Sequence, residues 1–184
     1  TLVAGASVDL AEDEGCPSGA GAVTLARTSS PPRLMLTDIN PLALELARAN
    51  LAAAAIQGEF RLVSGVACDG KADLIIANPP FIADPERRTY RHGGDMHGAR
   101  LSLDWCLSGV AQLAAKGRLL LYSGSAIVQG TDQFHQALAR RLPSDIDLDY
   151  RELDPDIFGG QLNQPGYATV ERIAAVGAMM TRRG

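Results

Sequence analysis

The sequence predicts an α/β fold in which a mostly parallel sheet carries helices on both faces. Short apolar runs typical of buried strands alternate along the chain with segments whose apolar residues have helical spacing. The length of 184 residues suits one domain. We therefore expect a single domain over residues 1–184.

The first half of the chain supplies three predicted strands and one well-marked helix. The strands are placed at residues 33–37, 60–63 and 72–77. Asn40 and Pro41 predict the N-cap and first residue of a helix that continues to about Ala53. The apolar face predicted for this helix consists of Leu42, Leu46 and Ala49.

The second half begins with a polar stretch, residues 82–98, which predicts a long loop of the kind that is uncommon without a function. A helix is predicted from Ala99 to Lys116, with Gly117 as its stop. The remaining predicted elements are a strand at 118–122, a helix from Thr131 or Asp132 to about Leu142, and strands at 147–153 and 168–176.

The composition is that of an ordinary globular protein, with 46% hydrophobic and 21% charged residues. A net charge of -4 argues against binding nucleic acid by charge alone. No apolar stretch approaches the ~20 residues that span a bilayer. Cys16, Cys68 and Cys106 lack metal or redox spacing, so we expect reduced thiols, a cytoplasmic location and no metal. Because the chain starts at Thr1, we also expect an N-terminal substrate-recognition region to be missing.

The most informative feature is the tetrapeptide Asn78–Phe81, Asn-Pro-Pro-Phe, directly behind the apolar run 72–77. In open α/β sheets, ligands bind at the carboxyl edge of the strands, where this tetrapeptide is expected to lie. An asparagine amide, backbone carbonyls, few competing N–H groups and an aromatic face suit a planar NH2 group. The tetrapeptide therefore predicts a site for a flat amine or amide.

A glycine-rich segment near the start of the chain predicts a second ligand-binding element. Its small residues are Gly15, Ser18, Gly19 and Gly21. A helix-like run follows, so free backbone N–H groups are expected to face a ligand there. Roughly twenty residues on, Asp38 ends a strand, and an acid at that place accepts both hydroxyls of a ribose. The segment and Asp38 together predict a nucleoside cofactor.

With this order of glycine loop, strand-end acid and Asn-Pro-Pro-Phe, the chain resembles the class I S-adenosylmethionine-dependent methyltransferases over roughly residues 15–176. Within that class it is similar to the amino-group methyltransferases, above all to the HemK-type protein glutamine methyltransferases. Residues 90–94 and 152–158 also resemble that type. The resemblance implies a Rossmann-like fold, with seven mostly parallel strands, an antiparallel last strand and one methyltransferase catalytic domain.

The resemblance also implies the cofactor, S-adenosyl-L-methionine, and methyl transfer to a planar nitrogen. The residues it implies for cofactor binding are Gly15, Ser18, Gly19, Gly21, Asp38, Ile39, Asn40, Val66 and Asn78. The catalytic residues it implies are Asn78, Pro79, Pro80 and Phe81.

In this interpretation the Asn78 side-chain oxygen and the Pro79 carbonyl accept hydrogen bonds from the amine. Pro80 stiffens the corner, and Phe81 packs against the flat acceptor. Arg91 and His92, on the long loop, contact the substrate or close over it.

Two departures from the family pattern affect these expectations. Pro17 stands where the first motif commonly has glycine, and the segment up to Asp13 is too acidic for a convincing central strand. We expect either an irregular first strand or residues missing near positions 11–14. After the third strand the family often has an acidic residue that binds the adenine amine. In this chain residues 64–67, which include no acid, occupy that place, and Asp69 is the nearby acid that would replace it.

The acceptor is expected to be a protein glutamine side chain, such as that of a translation release factor, because the charge balance is acidic and the loop resembles that type. The alternative is the exocyclic amine of an RNA or DNA base, which predicts a basic patch beside Phe81. A third reading, supported by the irregular first motif, is a nucleoside-binding domain without catalytic activity.

Overall fold

The computed structural model describes residues 10–15, 18–29, 33–65, 67 and 70–184. Its strands are β1 (Leu10–Glu14), β2 (Arg33–Asp38), β3 (Glu59–Leu62), β4 (Ala72–Ala77), β5 (Leu113–Val128), β6 (Thr131–Asp132), β7 (Ile146–Asp154) and β8 (Arg172–Arg182). Its α-helices are α1 (Ala20–Ser29), α2 (Pro41–Ala53), α3 (Arg100–Gln112) and α4 (Gln133–Arg141). Short 3-10 helices cover Met96–Gly98, Gly159–Asn163 and Pro165–Tyr167.

The strands form one sheet in the order β3-β2-β1-β4-β5-β8-β7, and β6 pairs antiparallel with β5. β1 is parallel to both β2 and β4, and β2 is parallel to β3. The predicted Rossmann-like sheet, mostly parallel with antiparallel strands at its C-terminal end, is confirmed. The strand order reverses between β1 and β4, and ligands bind at such a switch point in open α/β sheets.

The chain divides into two compact units. Unit 1 holds the described residues up to Ala77 together with Ser108–Leu120 and Thr181–Gly184. Unit 2 holds Asn78–Leu107 and Leu121–Met180. Strand β5 runs through both units, and the assignment of residues 1–184 to one catalytic domain stays a prediction.

The first strand is regular, contrary to the expectation of an irregular or incomplete one. All five residues of β1 are buried, and the strand keeps continuous register with Arg33–Thr37 of β2. On its other side, Ala11–Glu14 pair with Leu74–Ala77 of β4. The strand therefore occupies the centre of unit 1 despite three consecutive acidic residues.

Helix α2 begins as predicted, since the Asn40 side chain accepts a hydrogen bond from the Leu42 N–H at 3.0 Å and Pro41 follows the cap. The predicted apolar face was wrong, because its three members, Leu42, Leu46 and Ala49, are exposed. The buried residues of α2 are Ala43, Leu44, Ala47 and Leu51. This face is partly alanine, which lets the helix approach the sheet closely enough to touch Gly19.

Helix α3 ends at Gln112, four residues before the predicted end, and the chain continues as β5. Two of its last carbonyls are satisfied by side chains instead of by further helical N–H groups. Arg182 donates to the Val110 carbonyl and Lys71 donates to the Ala111 carbonyl, both at 2.6 Å. These donors lie far from the helix in sequence, so local propensity does not reveal the stop.

Helix α4 and the strands after it follow the prediction more closely. The Asp132 carboxylate caps α4 by accepting the His135 N–H at 2.7 Å, and it also accepts hydrogen bonds from Ser125 and Tyr150. The predicted strand at 147–153 is confirmed as β7. The last strand starts at Arg172, not at residue 168, because the 3-10 turn Pro165–Tyr167 and a turn after it fill that stretch.

Two leucine-to-alanine variants in α2 test the corrected helix orientation. Leu51 is 1% exposed and belongs to the core, whereas Leu46 is 51% exposed. Leu51→Ala is expected to lower the free energy of unfolding by about 2–5 kcal/mol, as for other buried leucines. Leu46→Ala is expected to change it by less than ~0.5 kcal/mol. Denaturant titration of both variants measures the difference, and equal losses would contradict the orientation.

Candidate functional site

The carboxyl end of β1, in unit 1, carries three buried acids at Glu12, Asp13 and Glu14. Side chains alternate between the two faces of a strand, so Asp13 points away from the other two. A buried carboxylate is costly unless it is hydrogen bonded or neutral. Each of the three acids meets this requirement in a different way.

Asp13 fixes the start of α1. Its Oδ2 accepts a hydrogen bond from the Ala22 N–H at 2.8 Å, within the first turn of the helix. A carboxylate at a helix N-terminus is also stabilised by the helix dipole. A side chain at Gly21 would lie 3.0 Å from the Asp13 carboxylate, so this position must remain small. The role of Asp13 that the structure supports is therefore to position the glycine segment.

Glu12 connects β1 to its neighbours on the opposite face. Its Oε1 accepts hydrogen bonds from the Thr37 hydroxyl at 3.2 Å and from the Ala67 N–H at 2.8 Å. Arg61 of β3 donates to the Ala67 carbonyl at 2.7 Å. Ala67, in the segment after β3, is thereby attached to β1 through the Glu12 carboxylate.

Glu14 is the last residue of β1, is 1% exposed, and has neither carboxyl oxygen hydrogen bonded to a described residue. Burial, and after it the charge of Glu12, raise the pKa of the Glu14 carboxyl to about 8. The carboxyl is therefore mostly protonated at neutral pH. Sequence reasoning missed this residue, since nothing local distinguishes it from a solvated acid.

The glycine segment is held at both of its ends. Gly15 has a φ of 68° and donates its N–H to the Thr37 carbonyl at 3.0 Å. Gly19 has a φ of 65°, and a side chain there would lie 2.9 Å from Leu51 Cδ1. The Ser18 carbonyl accepts a hydrogen bond from the Asn50 amide at 2.9 Å. Both glycines thus have a left-handed backbone conformation that favours glycine, and the ligand-binding role of the segment stays a prediction.

The strand-end acid Asp38 forms a local turn through one of its oxygens. Its Oδ1 accepts the Asn40 N–H at 2.8 Å, and no described residue hydrogen bonds its Oδ2. The neighbouring Ile39 is 49% exposed. An available carboxylate oxygen and an exposed apolar side chain therefore lie side by side in unit 1. Val66, the remaining residue predicted for cofactor binding, lies outside the described residues, as do Cys16, Pro17 and Asp69.

In unit 2, the tetrapeptide Asn78–Phe81 follows the last residue of β4. Asn78 is exposed, and no described residue hydrogen bonds its side-chain amide. Pro79 is buried, while Pro80 and Phe81 are half-buried. The corner thus presents one polar side chain to solvent from a segment that is otherwise packed.

Two glycines of the long loop pack directly against this corner. A side chain at Gly93 would overlap the Gly98 carbonyl oxygen and lie 2.5 Å from the Pro80 carbonyl oxygen. A side chain at Gly98 would lie 2.5 Å from the Phe81 carbonyl oxygen. Backbone therefore stacks on backbone, and the corner has no room to shift toward the loop. The sequence shows these glycines but not the contact they make.

The loop itself is ordered by a buried acid, Asp84. Arg88 donates to its two oxygens at 2.8 and 2.6 Å, and Arg91 forms a looser ion pair at 4.0 Å. Hydrogen bonds from Arg88 hold the pKa of the Asp84 carboxyl well below its ordinary range. His92 is half-buried, and its Nδ1 is hydrogen bonded to no described residue. Of the two predicted substrate residues, Arg91 is engaged by Asp84, whereas the His92 ring retains a free nitrogen.

Tyr167 also stabilises the long loop, residues 82–98, through its hydroxyl group. Its buried hydroxyl accepts the Ala83 N–H at 2.7 Å and donates to the His97 carbonyl at 3.1 Å. The His97 ring nitrogen Nδ1 is 2.9 Å from the Gly166 carbonyl oxygen. Residues more than sixty positions apart therefore meet here, and no sequence motif indicates their contact.

The described ranges contain no group of three or more His, Cys, Asp or Glu side chains that is arranged to hold a metal ion. Among the helices in the described part of the chain, none has the length and apolar character to cross a bilayer.

Residues 5–94 match the family model described as methyltransferase small domain. This match covers just under half of the 184 residues and includes both the glycine segment and Asn78–Phe81. A curated relative, the ribosomal RNA small subunit methyltransferase C of Serratia proteamaculans (strain 568), is 48% identical over 71 residues. Those residues are 38% of this chain and 20% of the relative, so the chain spans about a fifth of the curated relatives it matches.

Solved structures share the fold at low sequence identity. The ribosomal protein L11 methylase of Lactobacillus delbrueckii subsp. bulgaricus superposes with a TM-score of 0.65 over 100% of this chain and 74% of that chain, at 19% identity. Geranyl diphosphate C-methyltransferase of Streptomyces coelicolor A3(2), solved with S-adenosyl-L-homocysteine, gives a TM-score of 0.64 over 95% of this chain and 72% of that chain, at 12% identity. The matched family model and this curated relative are both described as methyltransferases, and one of these solved structures contains S-adenosyl-L-homocysteine, which agrees with the predicted enzyme class and cofactor. The narrower Asn-Pro-Pro-Phe, HemK-type subgroup is not confirmed.

Replacing the buried acid by its amide, Glu14→Gln, tests the raised pKa. Between pH 4.5 and about 8 the unfolded chain ionises this carboxyl and the folded chain does not, so the acid destabilises the fold increasingly as pH rises. At ~1.4 kcal/mol per pKa unit, the variant should be more stable than the original chain by a few kcal/mol at pH 8 and by little at pH 4.5.

Denaturant titrations across that pH range measure the difference, with Glu45→Gln, an exposed change in α2, as the matched control. A Glu14→Gln curve that runs parallel to that of the original chain would show that the carboxyl has an ordinary pKa.

Gly93→Ala tests the backbone contact behind the acceptor corner. The added methyl group has no space between the Gly98 and Pro80 carbonyl oxygens, so we expect a loss of about 3 kcal/mol or more in unfolding free energy. Gly160→Ala is the control, because a side chain there meets nothing within 4 Å. Thermal unfolding of both variants provides the measurement, and equal melting temperatures would refute the packing described.

Proposed function

We propose that this chain transfers a methyl group from S-adenosyl-L-methionine to the exocyclic amine of an RNA base. The observation that carries the proposal is the exposed Asn78 amide on a packed Asn-Pro-Pro-Phe corner directly behind a parallel strand. It is supported by the match to the methyltransferase small domain and by the ribosomal RNA methyltransferase named among the relatives. That relative is much longer than this chain, so its substrate is proposed here and not transferred.

The cofactor half of the proposal rests on unit 1. The available Oδ2 of Asp38 suits the ribose hydroxyls, and the exposed side chain of Ile39 suits the adenine ring. Gly15, Gly19 and Gly21 keep the backbone bare near the start of α1, where a ligand can approach closely. S-adenosyl-L-methionine supplies the activated methyl group, and these residues bind and orient the molecule that carries it.

The acceptor half rests on unit 2. The lone pair of an exocyclic amine is delocalised into the ring, which makes the nitrogen a weak nucleophile. We propose that the Asn78 side-chain oxygen and the Pro79 carbonyl accept its two hydrogens, so that the lone pair turns toward the methyl group. Such oriented acceptors also stabilise the positive charge that develops on nitrogen. The attached proton becomes acidic after methylation, so no strong base is required.

The relatives favour the base amine over the glutamine amide, which was the first expectation from the sequence. The glutamine reading had rested on an acidic charge balance and on a resemblance of the long loop. That loop also carries cationic side chains that suit a phosphate backbone, and Arg87 among them is exposed and pairs with none of the described acids. A protein glutamine and a DNA base are the two substrates to compare with RNA. An inactive nucleoside-binding domain is the third alternative, in which no methyl group is transferred.

Asn78→Ala tests the role of the amide. Loss of one oriented group at a developing charge costs about 10²–10³ in kcat in comparable sites, and we expect a fall of about 100-fold here. Because Asn78 is exposed, the variant should keep the melting temperature of the original chain. Transfer of labelled methyl to RNA, to peptide glutamine and to DNA measures both rate and substrate class. The control is Asn163→Ala, an exposed asparagine elsewhere in unit 2.

An Asn78→Ala protein that methylates at an undiminished rate would refute the assigned role. Calorimetry of S-adenosyl-L-methionine binding to the original chain tests the cofactor half separately. A chain that binds no cofactor would support the inactive domain instead.

A further inference from the structure

We propose that Tyr122 and Phe158 complete, together with Phe81, a three-ring surface on which the flat ring of the acceptor base stacks. The inference rests on the proposed function and deepens it, because it selects an aromatic acceptor over a side-chain amide. We call these three residues the aromatic cluster.

The cluster is defined by ring contacts within unit 2. The Phe81 and Tyr122 ring centroids are 6.0 Å apart with their planes at 70°, an edge-to-face arrangement. The Phe81 and Phe158 centroids are 5.6 Å apart at 53°. Phe81 therefore lies at the centre of the cluster, and it is the residue that follows the acceptor corner. These separations are those at which aromatic rings attract one another.

Tyr122 is unusual for its place in the sheet. Strand β5 has partners on both sides, and the neighbouring Leu121 and Ser123 are buried, yet Tyr122 is 42% exposed. Full burial of such a ring stabilises a fold by about 1.5–3 kcal/mol, and the partly exposed Tyr122 ring provides only part of that stabilisation. An exposed ring that contacts the ring of Asn-Pro-Pro-Phe is therefore a surface suited to a flat ligand.

Gly124 leaves the space that the Phe81 ring of the aromatic cluster occupies. It lies two residues after Tyr122 on the same face of β5, and a side chain there would come within 2.6 Å of Phe81 Cδ2. Its φ is not positive, so its backbone conformation does not demand glycine. The Phe81 ring itself is the reason that this position is bare, and the glycine acts as a positioning residue for that ring.

Phe158 is held by the last strand. The Ile157 N–H donates to the Ile173 carbonyl at 3.0 Å, and Arg172 donates to the Pro155 carbonyl at 2.8 Å. The segment that carries Phe158 is therefore anchored to β8 on both sides of Asp156. The backbone just before Phe158 is held against β8, and the ring of Phe158 contacts Phe81.

The chemistry of the cluster discriminates between the two acceptor classes. A nucleobase offers an extended π-face, and stacking on an aromatic side chain contributes about 1–3 kcal/mol per base. The carboxamide of glutamine has a small flat surface and gains little from a ring beyond Phe81. Additional rings therefore favour a base.

Tyr122→Leu and Tyr122→Phe form the matched pair that tests the inference, because the first removes the flat ring but keeps apolar bulk and the second removes only the hydroxyl. The assay is methyl transfer to short single-stranded RNAs that differ in their central base. Tyr122→Leu is expected to raise KM for RNA about tenfold, within the ~5- to 150-fold range that such stacking corresponds to. Tyr122→Phe is expected to stay within about twofold of the original chain. Affinity for S-adenosyl-L-methionine should be unchanged in both.

Gly124→Ala is a second, independent variant that displaces the Phe81 ring, and it should lower kcat for RNA while leaving cofactor affinity intact. His135→Ala removes an exposed ring that stacks on Tyr150, and it serves as the control with unchanged KM. If the original chain methylates RNA and Tyr122→Leu does so with unchanged KM, the inference is overturned while the proposed function stands. If the original chain methylates no RNA, both are wrong.

Discussion

Three consecutive carboxyl groups lie buried at the carboxyl end of the central strand β1, and the geometry of unit 1 depends on how each is accommodated. Strands pair with β1 on both sides, and none of the three side chains is more than 3% exposed, so water does not solvate them. Asp13 binds the first turn of α1, Glu12 binds Thr37 and Ala67, and Glu14 is neutralised by its own burial. The same interactions that make the acids tolerable attach the glycine segment and the loop after β3 to the sheet.

In unit 2, the backbone of the corner Asn78–Phe81 is held in place while the Asn78 side-chain amide stays exposed. Pro79 and Pro80 restrict the backbone from within, and Gly93 and Gly98 block it from outside by backbone contact. The loop that brings those glycines into place is fastened by the buried acid Asp84 and by the Tyr167 hydroxyl. The polar loop expected from the sequence is thus a support for the corner.

Local signals in the sequence were sufficient for the elements whose caps and breakers lie nearby. Asn40 with Pro41 and Asp132 with Pro143 marked helix boundaries correctly, and the apolar run before Asn78 marked β4. These predictions succeeded because each depends on interactions within a few residues of the position concerned.

The failures all involve partners far apart in the chain. The acidic composition of β1 argued against a strand, because its stabilising contacts come from residues up to 63 positions away. Helix α2 has apolar residues on two faces, and only the packed structure shows that the alanine-rich face is buried. Helix α3 stops where Lys71 and Arg182 reach its carbonyls. In the candidate site the tetrapeptide was visible in the sequence, whereas the contacts that glycines and aromatic rings make with it were not.

The proposed function requires that a flat aromatic amine receives the methyl group. The most direct measurement is to incubate the protein with RNA and labelled S-adenosyl-L-methionine, digest the RNA to nucleosides, and identify the labelled nucleoside by mass spectrometry. We expect the label on the exocyclic nitrogen of a base. Label on a ribose oxygen, a ring carbon or a ring nitrogen, or on protein alone, would contradict it.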